Sequence, residues 1–245
     1  MKLSFIIALL MFSLGTEMIA QEGPVYELRT YYCFPGKRID LINRFQNHTL
    51  AIFDRFGMEN VGYWLPEDQE NVLIYILKFD NKAAKEQAWK NFMADPEWQR
   101  VWKASEENGK IVEKVESVMM KETDYSPGNF KPKMMSGVYE LRIYTPAEGD
   151  PTKINARFRD HTIKLFEKHG MENVVYFNTF DEKDGGSKLI YLLTHKSRQA
   201  GQESFGTFRV DPAWVKAKTE SEANGPIVTK VESIYMKSLP FSNMK

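Results

Sequence analysis

The sequence contains a single cysteine, Cys33, among 245 residues. No intrachain disulfide can form, so packed cores rather than cross-links must stabilise the fold. An excess of one charge is also lacking, because 33 Lys and Arg face 33 Asp and Glu and no basic block stands out. The chain therefore lacks the electrostatic footprint of a protein that binds nucleic acid or an anionic membrane.

The motifs that usually carry metal, cofactor or nucleophile chemistry are missing from the sequence as well. It has no HxH or HExxH spacing, no 2-His-1-carboxylate pattern and no glycine-rich phosphate loop. Neither a Ser-His-Asp arrangement nor a motif that would lower the pKa of the Cys33 thiol is recognisable. We therefore predict no metal centre and no cofactor.

Long apolar runs are absent except at the N-terminus, where one lysine precedes a stretch too short to span a bilayer comfortably. This pattern is typical of a secretory signal, and we predict a signal peptide over residues 1–20 with cleavage after Ala20. The mature protein would then be exported, periplasmic or extracellular, and would have no stable membrane insertion. The alternative is a retained N-terminal anchor.

What the sequence does contain is an internal duplication. The segment Val25–Tyr31, VYELRTY, returns as Val138–Tyr144, VYELRIY, and the spacing of 113 residues continues through the first half of each copy. The spacing then rises to 116, which places three extra residues in a loop near Gly186. We predict a first repeat over residues 24–124, a proline-containing linker over 125–136 and a second repeat over 137–240.

Each copy has the pattern strand, helix, strand, strand, helix, strand. The first helical stripe ends at Gly57, and the second helical region restarts at Asp95-Pro96, where Asp can cap free amides and Pro suits the first helical position. A βαββαβ order is ferredoxin-like, with both helices on one sheet face. Because the other face needs a cover, we predict an α+β fold in which two antiparallel sheets pack face to face as an intramolecular dimeric α+β barrel.

A charged pair lies in the first strand of each copy. Glu27 and Arg29 share one strand face, as do Glu140 and Arg142, while Tyr26 and Leu28 suit the side covered by helices. We therefore predict that the charged pair points into the barrel. It is either a structural bridge, since buried charges need partners, or a ligand site with Arg29 as the anchor and Glu27 as acceptor or base.

His48 and His161 fall on the apolar stripe of the first helix in each copy. A core histidine with one satisfied nitrogen is one interpretation, and acid-base chemistry or ligation of haem iron is the other. The candidate catalytic residues are accordingly Glu27, Arg29 and His48. Tyrosines on the strands could line an apolar cavity with a few polar tips. The predicted ligand-binding residues are Glu27, Arg29, Tyr31, His48, Tyr63, Tyr75, Glu140, Arg142, Tyr144, His161 and Tyr176.

Several of these segments together resemble the NIPSNAP family. They are the VYELRxY strand, Pro35-Gly36-Lys37 before the first helix, the Asp-Pro-x-Trp device and Tyr125-Ser126-Pro127 after the last strand. The resemblance covers each copy from end to end and implies a fold shared with cofactor-free monooxygenases, isomerases and haem-degrading enzymes. Copy two departs from the pattern at Glu148-Gly149-Asp150, so copy one is the better candidate for a working site.

Fold alone does not give function, so three hypotheses follow. The first is an exported protein that binds a small apolar or aromatic ligand within the barrel. The second is a cofactor-independent monooxygenase or isomerase, and the third is a structural or interaction protein with a filled barrel. The sequence leaves open the ligand, whether the protein is an enzyme, and any further oligomerisation.

Overall fold

The computed structural model describes residues 23–133, 137–180 and 186–244. The predicted signal peptide, the centre of the predicted linker and most of the predicted loop insertion lie outside these ranges. Within them, no helix is both long enough and apolar enough to cross a membrane.

The described chain forms two sets of four strands with helices between them. The strands are β1 (Val25–Cys33), β2 (Glu59–Pro66), β3 (Val72–Phe79), β4 (Val112–Glu122), β5 (Val138–Pro146), β6 (Glu172–Thr179), β7 (Leu189–His195) and β8 (Val228–Ser238). The α-helices are α1 (Arg38–Arg44), α2 (Leu50–Arg55), α3 (Lys82–Ala94), α4 (Pro96–Ser105), α5 (Thr152–Arg157), α6 (Ile163–Lys168), α7 (Arg198–Arg209) and α8 (Pro212–Ser221). Two π-helical turns, π1 (Phe45–Thr49) and π2 (Phe158–Thr162), join α1 to α2 and α5 to α6.

All eight strands join in one closed barrel with the order β1-β3-β2-β8-β5-β7-β6-β4. Each copy contributes an antiparallel four-stranded sheet, and the copies meet where β2 pairs with β8 and β4 pairs with β6. Closure leaves the two sheets facing each other, which removes the need for a second cover on either one. The predicted intramolecular α+β barrel is confirmed.

The second helical region of each copy begins as the sequence predicts. The Asp95 carboxylate accepts a hydrogen bond from the Trp98 amide at 2.8 Å, and Asp211 accepts one from the Ala213 amide at 2.8 Å. A proline occupies the first turn in both cases. These caps satisfy amides that have no partner inside the helix and fix where α4 and α8 start.

The barrel interior is packed with apolar side chains contributed by both copies. Trp64 and Tyr139, both completely buried, lie with ring centroids 5.6 Å apart, and Tyr26 lies 4.7 Å from Phe177. Leu28 belongs to the same cluster. The predicted ligand cavity within the barrel is therefore wrong, because these side chains fill the space where the two sheets meet.

The charged strand pairs face the opposite way from the prediction. Tyr26 and Leu28 point into the barrel, whereas Glu27 and Arg29 lie under the helices of copy one, where Trp89 of α3 reaches Glu27. The barrel interior is enclosed by both sheets and offers few polar partners, so it takes the uncharged face. The helix layer supplies hydrogen-bond donors, which makes it the better place for buried charge.

Candidate functional site

In copy two the strand pair forms a compact ion pair. Arg142 Nη1 donates to Glu140 Oε1 at 2.5 Å, and the Ser233 hydroxyl donates to the same oxygen at 2.6 Å. Arg142 Nε donates to the Tyr191 hydroxyl at 2.9 Å, because the β5–β7 register places these two residues opposite each other. Nη2 lies 3.3 Å from the Tyr144 hydroxyl. Each of the three guanidinium nitrogens therefore bonds a side chain on β5 or β7.

The second oxygen of the Glu140 carboxylate is bound by a histidine. His195 Nε2 lies 2.8 Å from Glu140 Oε2, and both side chains are essentially inaccessible to solvent. Burial alone would raise the pKa of Glu140, but the bond from His195, the charge of Arg142 and the bond from Ser233 hold that pKa below its ordinary value. Glu140 is therefore the anionic centre that orients Arg142.

Next to this ion pair a cavity of about 540 Å³ opens between β5, β8 and the helices α7 and α8. Arg142 and Tyr144 form part of its floor, and Phe205 and Trp214 form aromatic walls. The Arg142 guanidinium carbon lies 4.3 Å from the centre of the Phe205 ring, so the cation is stacked rather than free to move. The volume falls in the range of small-molecule pockets.

The cavity carries an excess of positive charge. Its lining includes the cations Arg142, Arg157, Arg209, Lys218 and Lys230 and one carboxylate, Glu222. Arg157 and Lys218 share Glu222, and Lys230 lies 3.0 Å from Glu232, so Arg209 is the cation of this lining without an ion-pair partner among the described residues. Arg157 is buried and donates to Glu222 at 2.8 Å, and its Nε has no hydrogen-bond partner within the described residues. Aromatic walls with surplus guanidinium and ammonium groups favour a flat ligand that bears negative charge.

Copy one keeps the ion pair but surrounds it differently. Arg29 donates to Glu27 at 2.8 Å, and Ser117 donates to the same oxygen at 2.5 Å. The second carboxylate oxygen of Glu27 accepts a hydrogen bond from the Trp89 indole at 2.7 Å. Trp89 also lies under Arg29, with its ring centre 4.3 Å from the guanidinium carbon. The Trp89 indole thus both donates to the carboxylate and stacks on the guanidinium, whereas in copy two His195 contacts the carboxylate and Phe205 stacks on the guanidinium.

The predicted strand tyrosines join these clusters on the side covered by helices. Tyr63 stacks on Tyr75 at 5.2 Å, and Tyr176 stacks on Tyr191 at 5.0 Å. Tyr31 lies 5.3 Å from Tyr75 and interacts with Arg29, as Tyr144 does with Arg142. Burial raises the pKa values of Tyr63, Tyr75, Tyr176 and Tyr191 well above the ordinary value, so these four hydroxyls are neutral at physiological pH.

The two predicted site histidines are not in the apolar core, and that prediction is wrong. His48 and His161 are exposed and lie within the turns π1 and π2. A π-helical turn carries more residues per turn than an α-helix, so the buried positions after Phe45 and Phe158 fall four residues on, at Thr49 and Thr162. The histidines rotate outward and join neither ion pair.

Sequence reasoning missed His195, Phe205, Trp214 and Arg157 as parts of the site. A signal for His195 was present: the repeat alignment sets it against Phe79, and a polar residue replacing an apolar one in a strand core needs a partner. A second signal in the sequence was Gly201, a glycine within a helix where copy one has Lys85. The structure explains it, because a Cβ at position 201 would lie 2.9 Å from the His195 ring.

The described residues include no group of three or more His, Cys, Asp or Glu side chains that could hold a metal ion. Cys33 is buried and unpaired, and burial raises the pKa of its thiol to about 11. A thiol with this pKa is almost entirely protonated at neutral pH, so Cys33 lacks the character of a nucleophile.

Two ferredoxin-like halves, each with a polar strand cluster beneath its helices and both closed into one barrel, define an intramolecular dimeric α+β barrel protein. The NIPSNAP family model matches residues 26–127 and again 139–243, which covers both halves. The chain belongs to the NIPSNAP family.

Similar proteins agree with this assignment. The chain is 30% identical over 215 residues to human protein NipSnap homolog 3A, covering 85% of this chain and 82% of the human protein. It is 29% identical over 207 residues to mouse NipSnap homolog 3B, covering 82% and 78%.

Among solved structures, an "anthrone oxidase-like protein" matches 92% of this chain and 95% of its own, with a TM-score of 0.55 and 14% identity. A "putative monooxygenase" from Lactobacillus acidophilus NCFM matches 89% and 94%, with a TM-score of 0.56 and 13% identity. These two likenesses show the barrel fold alone.

Proposed function

We propose that this protein binds a small, flat, negatively charged aromatic molecule in the cavity of copy two. The observation that carries the proposal is Arg142, which is held by Glu140 and Tyr191 and still forms part of the cavity floor. A guanidinium has five N–H donors, and the protein bonds described for Arg142 use three of them. The remaining donors suit a carboxylate or an enolate oxygen.

The proposed ligand chemistry follows from the cavity walls. Phe205 and Trp214 offer faces for stacking, and Arg209 at the rim is exposed and has no carboxylate partner among the ion pairs of the described residues. A neutral apolar ligand would leave the charge of Arg209 unmatched. An aromatic anion satisfies both the rings and the cations, which refines the apolar or aromatic ligand expected from the sequence.

Binding of 1-hydroxy-2-naphthoate, followed by quenching of tryptophan fluorescence, tests the proposal. Arg209→Ala changes an exposed residue and should weaken binding about 3-fold, as expected for a charge at the rim, whereas Arg142→Lys removes the fork and should weaken it about tenfold. The matched copy-one change Arg29→Lys should leave the affinity unaltered. Equal loss from Arg29→Lys and Arg142→Lys, or equal affinity for neutral 1-naphthalenemethanol, would contradict it.

A second candidate function is cofactor-independent oxidation of such a ligand by O₂. It is supported by the barrel likeness to an anthrone oxidase-like protein and by the cationic floor, which would stabilise the enolate formed when an activated aromatic substrate loses a proton. In anthrone oxidation the ring CH₂ becomes a carbonyl with one oxygen atom from O₂. The other oxygen atom and the two hydrogens leave as water.

Oxygen uptake with anthrone, corrected for autoxidation in buffer, tests this second function. Turnover should fall about tenfold in Arg142→Lys, since that group would stabilise the developing oxyanion. A rate equal to the buffer rate would remove the oxidase hypothesis and leave the binding proposal intact.

We further propose, from the signal peptide predicted over residues 1–20, that this protein acts outside the cytoplasm. Sequencing the mature N-terminus of protein purified from its host tests that proposal.

A further inference from the structure

A second cavity of about 390 Å³ lies on the outer surface of copy one, away from the strand ion pair. It lies between the helix pair α1–π1 and α4, and its lining combines cations with side-chain amides. Lys37, Arg44 and Arg100 are the permanent cations, and Asp40 is the carboxylate, which accepts a hydrogen bond from Lys37 at 3.1 Å. Asn43, Asn47 and Asn108 supply the amides, and His48 lies at the same surface.

Arg44 anchors the base of this cavity. Only 6% of the residue is exposed, and it donates to the Ser105 hydroxyl at 3.1 Å and lies 3.5 Å from Glu106. Its buried Nε has no hydrogen-bond partner within the described residues. A buried guanidinium with an unused donor beside an open cavity is a built feature rather than a chance surface charge.

The equivalent surface of copy two provides an internal comparison. The cavity there measures about 290 Å³ and retains Arg157 and His161, but Ala156 replaces Asn43, Asp160 replaces Asn47 and Glu220 replaces Ala104. Its lining therefore holds two carboxylates, Asp160 and Glu220, against Lys153 and Arg157. The same fold position is cationic and rich in amides in one copy and neutral in the other.

We propose that the copy-one cavity binds a small phosphate monoester of a hydroxylated molecule. A phosphate monoester carries close to two negative charges at neutral pH and three acceptor oxygens, which suits a lining with more cations than carboxylates better than a monovalent carboxylate does. Each asparagine amide offers both a hydrogen-bond donor and an acceptor, so it can bind a hydroxyl group, which also donates and accepts. The site is separate from the proposed aromatic site and does not depend on it.

Glucose 6-phosphate is a suitable probe, with isothermal titration calorimetry at low ionic strength as the measurement on the full chain. Arg100→Ala removes an exposed cation that forms no ion pair within the described residues, and it should weaken binding about tenfold. Asn47→Asp introduces the residue of copy two at an exposed position and should weaken binding by about the same factor through charge repulsion. Lys216→Ala, the copy-two counterpart of Arg100→Ala, is the control and should change nothing.

Two further ligands separate the parts of the proposal. Glucose should bind far more weakly than its phosphate. Inorganic phosphate should also bind more weakly than the ester, because the asparagine amides contact the sugar hydroxyls, and equal binding of the two would overturn that part of the proposal. Failure of the wild-type protein to bind glucose 6-phosphate would overturn the proposal. Equal losses from Arg100→Ala and Lys216→Ala would overturn it too, because binding would then reflect overall charge.

Discussion

The two copies share one strand motif and differ in what surrounds it. In copy one the Trp89 indole both donates to Glu27 and stacks on Arg29. In copy two these tasks are divided, with His195 bound to Glu140 and Phe205 stacked on Arg142. Phe205 occupies the position of Trp89 and has a smaller ring. The aromatic cavity of copy two lies beside this smaller ring. The same ion pair is therefore kept in both copies while the side chains around it differ, and an aromatic cavity adjoins it in copy two.

The two copies also differ in the cavities that they carry. Departures from the family pattern near Glu148-Gly149-Asp150 favoured copy one as the working site. The aromatic cavity, however, lies in copy two, and the polar surface cavity of copy one has a smaller, neutral counterpart there. The two copies therefore carry cavities with different linings at different fold positions, which a count of retained motif residues does not reveal.

The largest difference between the copies should follow removal of the strand carboxylate. Glu140→Ala leaves Arg142 buried without its partner, so we expect a loss of about 3–5 kcal/mol in the free energy of unfolding. Glu27→Ala should cost less, about 1–3 kcal/mol, because the Arg29 and Lys85 side chains are 15% and 22% exposed and remain partly hydrated. Urea denaturation of both variants measures the two losses, and a larger loss for Glu27→Ala would contradict this ranking.

A smaller effect should come from replacing His195 by phenylalanine, the residue that copy one has at the matching position, Phe79. His195→Phe removes the donor to Glu140 Oε2, and Phe205 cannot replace it, so about 1–3 kcal/mol of stability should be lost. Adding Phe205→Trp restores the arrangement of Trp89 and Glu27.

The double variant His195→Phe with Phe205→Trp should recover stability relative to His195→Phe alone and reduce affinity for the aromatic anion, because the indole would occupy cavity space. A double-mutant cycle from denaturation data measures the coupling between the two positions. Additive losses would show that the two residues do not substitute for the single indole of copy one.

A third comparison uses two glycines in helix α7. A Cβ on Gly201 would lie 2.9 Å from the His195 ring and 3.1 Å from the Tyr235 hydroxyl, whereas a Cβ on Gly206 meets nothing within 4 Å. Gly206→Ala should raise the free energy of unfolding by up to about 1 kcal/mol through better helix propensity. Gly201→Ala should lower it by about 1 kcal/mol, because crowding exceeds that gain. Equal shifts in thermal midpoint for both variants would show that Gly201 is not required for the histidine.

The sequence allowed the duplication, the βαββαβ order and barrel closure to be predicted, because strand alternation, Asp-Pro caps and matching segments are local signals. It misled on which strand face carries the ion pair, since alternation gives two faces without saying which one meets the helices. Partners distant in sequence decide that, and among them Trp89 and His195 come from the side covered by helices or pack against it. His48 was misplaced because the π1 turn changes the helical period locally.

The smallest expected effect concerns pH and the copy-two carboxylate Glu140. Burial opposes the bonds from His195, Arg142 and Ser233 at Glu140, and the net result is a lowered pKa. A group whose pKa is lower in the folded state stabilises the fold above its unfolded pKa, and this contribution is lost as pH falls through the folded pKa. For a glutamate the loss therefore begins below about pH 4.3, its ordinary pKa. Denaturation midpoints of wild-type protein and Glu140→Gln, measured between neutral and acid pH, should converge toward the acid end. A constant gap across that range would mean that folding does not shift the pKa of Glu140, which would contradict the prediction.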